Sequence, residues 1–408
     1  MKIIKFLIIV SIICGSELAI KADVASDMIM NSHQALIVIE QDYAQAVTLA
    51  NKENKLIFID FYTSWCAPCK KLDQLVFQND SIQHLLGKDI ILLKYDAEND
   101  TVFHLSKKHH VSSYPTGLIL NEDGYVVNRK YGFQGDNVDS IYQDVALFIN
   151  ESKILNDKGS IIKGYANKVD VSIYPKFYVD YVNRVNTKKD ASEINEYWNA
   201  QSNIFSEEYF STLLYFAGEA SDNIINTTLH NRAKYLDLYG KTDIEILMYF
   251  FTMGKFSKAI STNNQSNYDQ AVKFAKSALS QEWLDDVLSS FNKEFLKAQN
   301  KWSEVLEINT QLKQNGKFDN GYVNHFSWQV YENCQDHKVI EKCLKWMREV
   351  TLSEPIYQYL DTYAHLLYKK GDNAEAKKVA LSAVAAGKRE EERTVSTQQL
   401  IDKISNLD

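Results

Sequence analysis

Past its first residues the sequence has no run approaching the roughly 18 apolar residues that a membrane span requires, so the body of the chain reads as water-soluble. It also lacks a surplus of positive charge. The 45 Lys and Arg stand against 53 Asp and Glu, a net charge of -8 that argues against nucleic acid and acidic membrane surfaces as partners. There is no H-E-x-x-H, no G-x-S-x-G and no glycine-rich phosphate loop, so neither a zincin, a serine hydrolase nor a nucleotide enzyme is indicated, and no cofactor is expected. Prolines number only 4 and cysteines only 5 in 408 residues, so the places where they fall carry information.

One cysteine, Cys14, belongs to the N-terminus. Met1–Lys5 is a short basic segment, and the apolar stretch Phe6–Cys14 that follows is too short for a comfortable span. This is the pattern of a secretory signal peptide at 1–22, cleaved after Ala22. It makes the mature chain an exported one, periplasmic if the source is a bacterium, with at most peripheral membrane contact. Cys14 also permits a lipoprotein reading, which is the weaker because Ile12 and Ile13 are poor lipobox residues.

Two further cysteines stand as Trp65-Cys66-Ala67-Pro68-Cys69-Lys70, directly after the apolar run Leu56-Ile57-Phe58-Ile59-Asp60-Phe61-Tyr62. A strand that leads through a short loop into a helix puts the first cysteine against unpaired backbone N–H groups and the positive end of the helix dipole. Cys66 is therefore the nucleophile, its thiol drawn down from about 8.5. Cys69, one turn further in, is shielded and resolves the mixed disulfide. Pro68 costs nothing in the first helical turn, where its missing N–H would be an orphan anyway. Lys70 adds positive charge, and Trp65 flanks an exposed thiol as a flat apolar contact for protein or peptide. The same spacing could be half of a zinc site, but no second Cys/His cluster follows to complete four ligands. Structural cysteines are the other alternative, and Trp and Pro at a helix start explain core filler poorly. Asp60 interrupts an apolar strand. It is either exposed at a bulge or buried with a raised pKa, and the second reading is the one preferred. His109 and His110, beside Lys107 and Lys108, read as a solvated helix end.

These residues resemble the thioredoxin superfamily, in particular its periplasmic thiol-disulfide oxidoreductase branch. The resemblance implies that Asp60 is the buried carboxylate that relays a proton to the resolving cysteine. It also implies that Tyr114-Pro115-Thr116 is the cis-proline segment that pairs with substrate backbone beside the cysteines. Two of the four prolines fall at these family positions. The sequence departs from the family at Ala67, where glycine is usual, and at Tyr62, where tryptophan is frequent. Lys94 is only a loose counterpart of the lysine that partners the buried aspartate. The elements agree: an active-site helix with Leu72, Leu75, Val76 and Phe77, a strand Ile90–Leu93, a short helix around Val102–His109, strands Gly117–Leu120 and Tyr125–Val127 joined by a hairpin, and a helix ending near Ile149. The expected fold is an α/β thioredoxin-like domain at 34–150, a central mixed sheet flanked by helices.

From 151 to 408 strand patterns vanish and the chain reads as all-α. Ala271, Val305, Ile340 and Ala376 recur at spacings of 34, 35 and 36 residues, close to the tetratricopeptide period of about 34, with repeats clearest at 255–390. Stacked helix pairs usually hold a protein or peptide. Cys334 and Cys343 either pair or stay as buried thiols, the latter favoured. The sequence thus suggests an exported thiol-disulfide oxidoreductase acting on protein or peptide disulfides; the resemblance implies reduction as the leading direction, because the more oxidising members of the superfamily commonly carry a histidine between the cysteines and this chain has none. A membrane-embedded electron donor is then implied. The rivals are an oxidase or isomerase with the same site, and a non-catalytic adaptor that binds through its helical repeats.

Overall fold

The computed structural model describes residues 35–135 and 137–406. The expected signal peptide at 1–22, with Cys14, lies outside them. The chain forms two compact units, one through Phe251 and the other from Thr252.

The first unit is built on a five-stranded sheet. Strand β1 is Ile37–Glu40, β2 Leu56–Tyr62, β3 Ile90–Asp96, β4 Thr116–Leu120 and β5 Val126–Tyr131. The order is β1-β3-β2-β4-β5, with β3 parallel to β1 and β2, and β4 antiparallel to β2 and β5. Strand β2 is central and closed in on both faces, which is why it reads as a continuous apolar run. Helix α1, Tyr43–Glu53, begins where the Asp42 carboxylate accepts the Gln45 N–H at 2.9 Å. β1 and α1 extend the expected order at its start; the apolar stretch Leu36–Ile39 and the Asp42 cap were their signals.

The active-site helix α2, Ala67–Leu72, runs on through a wider turn to Phe77, and α3 is Asp80–Leu86. The short α4, Leu105–Lys108, precedes β4. Helix α5, Val138–Asp157, opens on an Asn137–Ser140 capping box and runs past the expected end near Ile149. One face of the sheet, α2 and α5 share a core in which Phe58 is fully buried against Phe77 at 5.7 Å, Phe148 at 5.7 Å and Phe133 at 5.8 Å between ring centroids. Gly117 makes room for this cluster: a Cβ there would lie 2.7 Å from Phe133 and 3.0 Å from Phe58.

Helices α6 (Lys176–Val182), α7 (Ala191–Ala200), α8 (Glu207–Tyr215), α9 (Asp222–His230) and the first part of α10 (Arg232–Ser261, broken at Gly240 with φ 76°) belong to the same unit. The boundary placed at 150/151 therefore falls inside α5, and the unit continues to Phe251. The physical cause is a set of buried ties between the sheet and these helices. Lys107, Lys108, His109 and His110, read from sequence as a solvated helix end, are all buried. Lys108 Nζ donates to Glu207 Oε1 at 2.5 Å, and Arg129 of β5 meets Asp243 of α10 at 3.4 Å. His110 Nε2 lies 3.7 Å from Asp243, whose carboxylate also accepts from Tyr131 at 3.1 Å and Tyr165 at 2.5 Å. Burial raises the Asp243 carboxyl, but Arg129, His110 and Tyr165 outweigh it and hold it at about 2. Burial and then Arg129 push His110 down to about 4.

The second unit is helical throughout its described residues: α11 Gln265–Ala278, α12 Gln281–Ala298, α13 Trp302–Gln314, α14 Asn320–Asn333, α15 His337–Ser353, α16 Tyr357–Lys370, α17 Asn373–Arg389 and α18 Val395–Ser405. Ala271, Val305, Ile340 and Ala376 fall on α11, α13, α15 and α17, every second helix, and all four are buried. Small residues let neighbours approach: Ala364, Ala376, Ala380, Ala383 and Ala386 are fully buried on α16 and α17. Cys334 and Cys343 are free thiols inside this core. No helix among the described residues is long and apolar enough to cross a membrane.

Candidate active site

Strand β2 delivers the chain to Thr63-Ser64-Trp65 and then to Cys66, which caps α2. Its Sγ accepts the Cys69 N–H at 3.2 Å, its carbonyl accepts the Lys70 N–H at 3.1 Å, and Pro68 sits in the first turn. The sulfur is thus held by a backbone donor at a helix N-terminus, where negative charge is stabilised by about 0.3–1 kcal/mol or more. Cys66 and Cys69 form a disulfide with Cα atoms 5.3 Å apart. Both are 3% exposed, so the thiol expected to stand open is covered in the oxidised state. Pro68 and Lys70 are exposed on the outer side of the turn.

Asp60 shares its face of β2 with Phe58, the face that α2 covers, because side chains alternate along a strand. It is 1% exposed, and its Oδ1 has no hydrogen-bond partner among the described residues. Burial raises its carboxyl to about 7; Lys94 opposes the rise, while Asp73 and Glu40 add to it. Lys94 lies opposite Asp60 in the β2–β3 register. Its ammonium is engaged by Asp73 at 2.9 Å and Glu40 at 3.5 Å, so it moderates Asp60 without neutralising it.

The Tyr114–Pro115 peptide bond is cis. Tyr114 meets Trp65 edge to face at 6.0 Å, joining the proline loop to the cysteine loop. Trp65 is 61% exposed, and its Nε1 donates to Glu98 Oε2 at 3.1 Å. Thr116 is buried, and its hydroxyl donates to Ser113 O at 2.7 Å, so it braces the turn rather than facing outward. Pro115 is also buried, its carbonyl accepting the Gly132 N–H at 2.9 Å. The structure therefore gathers Asp60, Trp65, Cys66, Pro68, Cys69, Tyr114 and Pro115 at one end of the central strands. It adds Glu98, and Arg184 whose Nη2 donates to Glu98 Oε1 at 2.5 Å. Arg184 lies 86 residues from Glu98 in sequence, and no local pattern pointed to it.

A disulfide capping a helix beside a cis-proline loop, over a buried carboxylate on a sheet of this order, defines a thioredoxin-type fold. Residues 38–121 match the thioredoxin-like family profile. The chain is 32% identical over 82 residues to Thioredoxin-1 of Drosophila melanogaster, a match covering 20% of this chain and 70% of that protein. It belongs to the thioredoxin-like family through this segment. It is also 34% identical over 82 residues to the Thiol:disulfide interchange protein DsbD of Yersinia pestis, covering 20% of this chain and only 13% of that protein. Among solved structures, DsbH Oxidoreductase matches at 18% identity with a TM-score of 0.25, covering 30% of this chain and 88% of that one.

Proposed function

We propose that this protein is an exported thiol-disulfide oxidoreductase that reduces protein disulfides. One observation carries the reading: a cysteine pair at a helix N-terminus, Cys66 Sγ facing the Cys69 N–H, above a buried carboxyl poised at about 7. In the reduced protein, the Cys66 thiolate attacks one sulfur of a substrate disulfide; an S–S bond to the enzyme forms and one substrate sulfur leaves as thiolate and is protonated. Asp60, able to hold or release a proton near neutrality, takes the Cys69 proton. The Cys69 thiolate then attacks the Cys66 sulfur, which restores the enzyme disulfide and releases the second substrate sulfur as a thiolate that takes up the proton held by Asp60. Two electrons and two protons pass to the substrate.

The oxidised pair is recharged by thiol exchange with a reduced donor. Since the family resemblance extends to the transmembrane thiol:disulfide interchange proteins, a membrane-embedded electron donor is the partner proposed. The helical repeats of the second unit are proposed to hold a protein partner, as stacked helix pairs do. The test is the reduction potential of the Cys66–Cys69 pair, read by alkylation and mass spectrometry against dithiol buffers. A value near about -270 mV supports a reductase, one near about -120 mV marks an oxidant, and a pair that never forms a disulfide across that range leaves the adaptor reading in its place.

A further inference from the structure

The helices after the sheet reach both lips of the active site. On one lip, the exposed Trp65 indole is held by Glu98, and the other Glu98 oxygen is taken by Arg184 from the turn after α6. On the other lip, the chain that runs into Tyr114–Pro115 is gripped through its carbonyls. Tyr178 donates to Lys107 O, Tyr174 to Lys108 O at 3.1 Å, and Tyr215 to Val111 O at 3.1 Å. Tyr215 in turn packs edge-on to Tyr178 at 5.4 Å and Tyr181 at 5.8 Å, so the grip is one aromatic wall.

Arg184 occupies a costly backbone position. Helix α6 ends with Val185 N–H bonded to Asp180 O at 2.9 Å and Arg184 N–H to Tyr181 O at 3.1 Å, a Schellman turn whose left-handed residue, φ 58°, is ordinarily glycine. The arginine at this position, its side chain 66% exposed at the rim, brings its guanidinium onto Glu98 beside Trp65. The adjoining loop 183–190 is exposed throughout, with Val185 at 75%. Arginine and aromatic side chains around a central apolar contact are the composition of surfaces that capture polypeptide.

We propose that the exposed turn after α6 forms part of the substrate-recognition surface, with Arg184 positioning Trp65 through Glu98, so that the site favours a cystine embedded in polypeptide over a small free disulfide. This rests on the oxidoreductase reading. A small disulfide needs only the Cys66 sulfur, whereas a protein chain on either side of its cystine must lie on Trp65, Tyr114 and the Arg184 turn.

The test compares the single-turnover rates at which the whole chain, reduced with dithiothreitol and then freed of it, reduces insulin and 5,5′-dithiobis(2-nitrobenzoate). Arg184→Gly suits the left-handed turn, so it removes the guanidinium without opening the helix end. The ratio of the second-order rate constant for insulin to that for the aryl disulfide is expected to fall about tenfold in Arg184→Gly, mainly through a higher half-saturating insulin concentration. Combining it with Trp65→Phe should add little to the larger single loss, as coupled residues do. An unchanged ratio overturns the proposal, and additive losses overturn the positioning of Trp65 by Arg184. A wild-type chain that reduces neither disulfide refutes the oxidoreductase reading itself, an outcome distinct from one in which both are reduced and the variant treats them alike.

Discussion

Asp60 and Asp243 are both buried in the first unit, and their environments drive them in opposite directions. Asp60, under the disulfide, has an oxygen with no partner among the described residues and a lysine engaged elsewhere; burial raises it to about 7. Asp243, which ties α10 to β5, is equally buried, yet Arg129, Tyr131, Tyr165 and His110 surround it and it stays at about 2. Burial alone does not decide whether a carboxyl is charged; the count of donors aimed at it does. The carboxyl left short of donors can exchange a proton near neutrality, and the saturated one is fixed as an anion. The first arrangement suits chemistry and the second suits architecture.

The comparison is most severely tested by removing the saturated anion. Asp243→Leu leaves the Arg129 guanidinium buried without a counterion and should cost about 3–5 kcal/mol in urea unfolding, while Arg129→Met with Asp243→Leu should recover much of it. A single-variant loss below about 1 kcal/mol would show that Asp243 does not hold the helices to the sheet. Asp60→Asn should instead spare the fold and slow disulfide reduction roughly 100-fold, because the resolving thiol loses its proton acceptor. Turnover within about twofold of wild type would remove Asp60 from the reaction.

The pH dependence of stability differs in sign between the two. Folded Asp60 keeps its proton up to about 7, whereas the unfolded chain releases it near 3.8, so its contribution to stability falls as pH rises between those values. The slope is at most about 1.4 kcal/mol per pH unit, and Asp60→Asn should abolish it. At the tie, folded pKa values are depressed: His110 lies at about 4 against 6.5, and Asp243 at about 2 against 3.8. Stability is lost there as pH falls, first between 6.5 and about 4 for His110 and then between 3.8 and about 2 for Asp243. Urea titrations of wild type, Asp60→Asn and Asp243→Asn across this range read each slope separately; an Asp60→Asn profile parallel to wild type would contradict the assignment.

The same contrast marks what the sequence discloses. Asp60, Cys66 and Cys69 are legible because their signals are local: a carboxylate breaking an apolar strand and two cysteines at a helix start. Lys107–His110 mislead, since four polar residues in a row resemble a wet helix end. Their partners Glu207 and Asp243 come from helices far along the chain, and Lys108 and Glu207 are separated by 99 residues. The extent of the first unit was hidden for the same reason. Helical periodicity after 150 identifies helices but not the surface they cover, and Arg184 gives no sign in sequence that it meets Glu98. Ala271, Val305, Ile340 and Ala376, spaced at 34 to 36 residues, lie buried on alternate helices of the second unit.

Cys334 and Cys343 lie deep in the second core, where burial raises both thiols, Cys343 to about 12. Almost none of either is thiolate at neutral pH, and neither offers a surface to an approaching sulfur. They cannot intercept a mixed disulfide formed at Cys66 or accept a peroxide-derived oxygen while the fold is closed. Oxidative damage to this unit is therefore governed by how often its helices open, and its redox lifetime is a property of folding kinetics rather than of thiol chemistry.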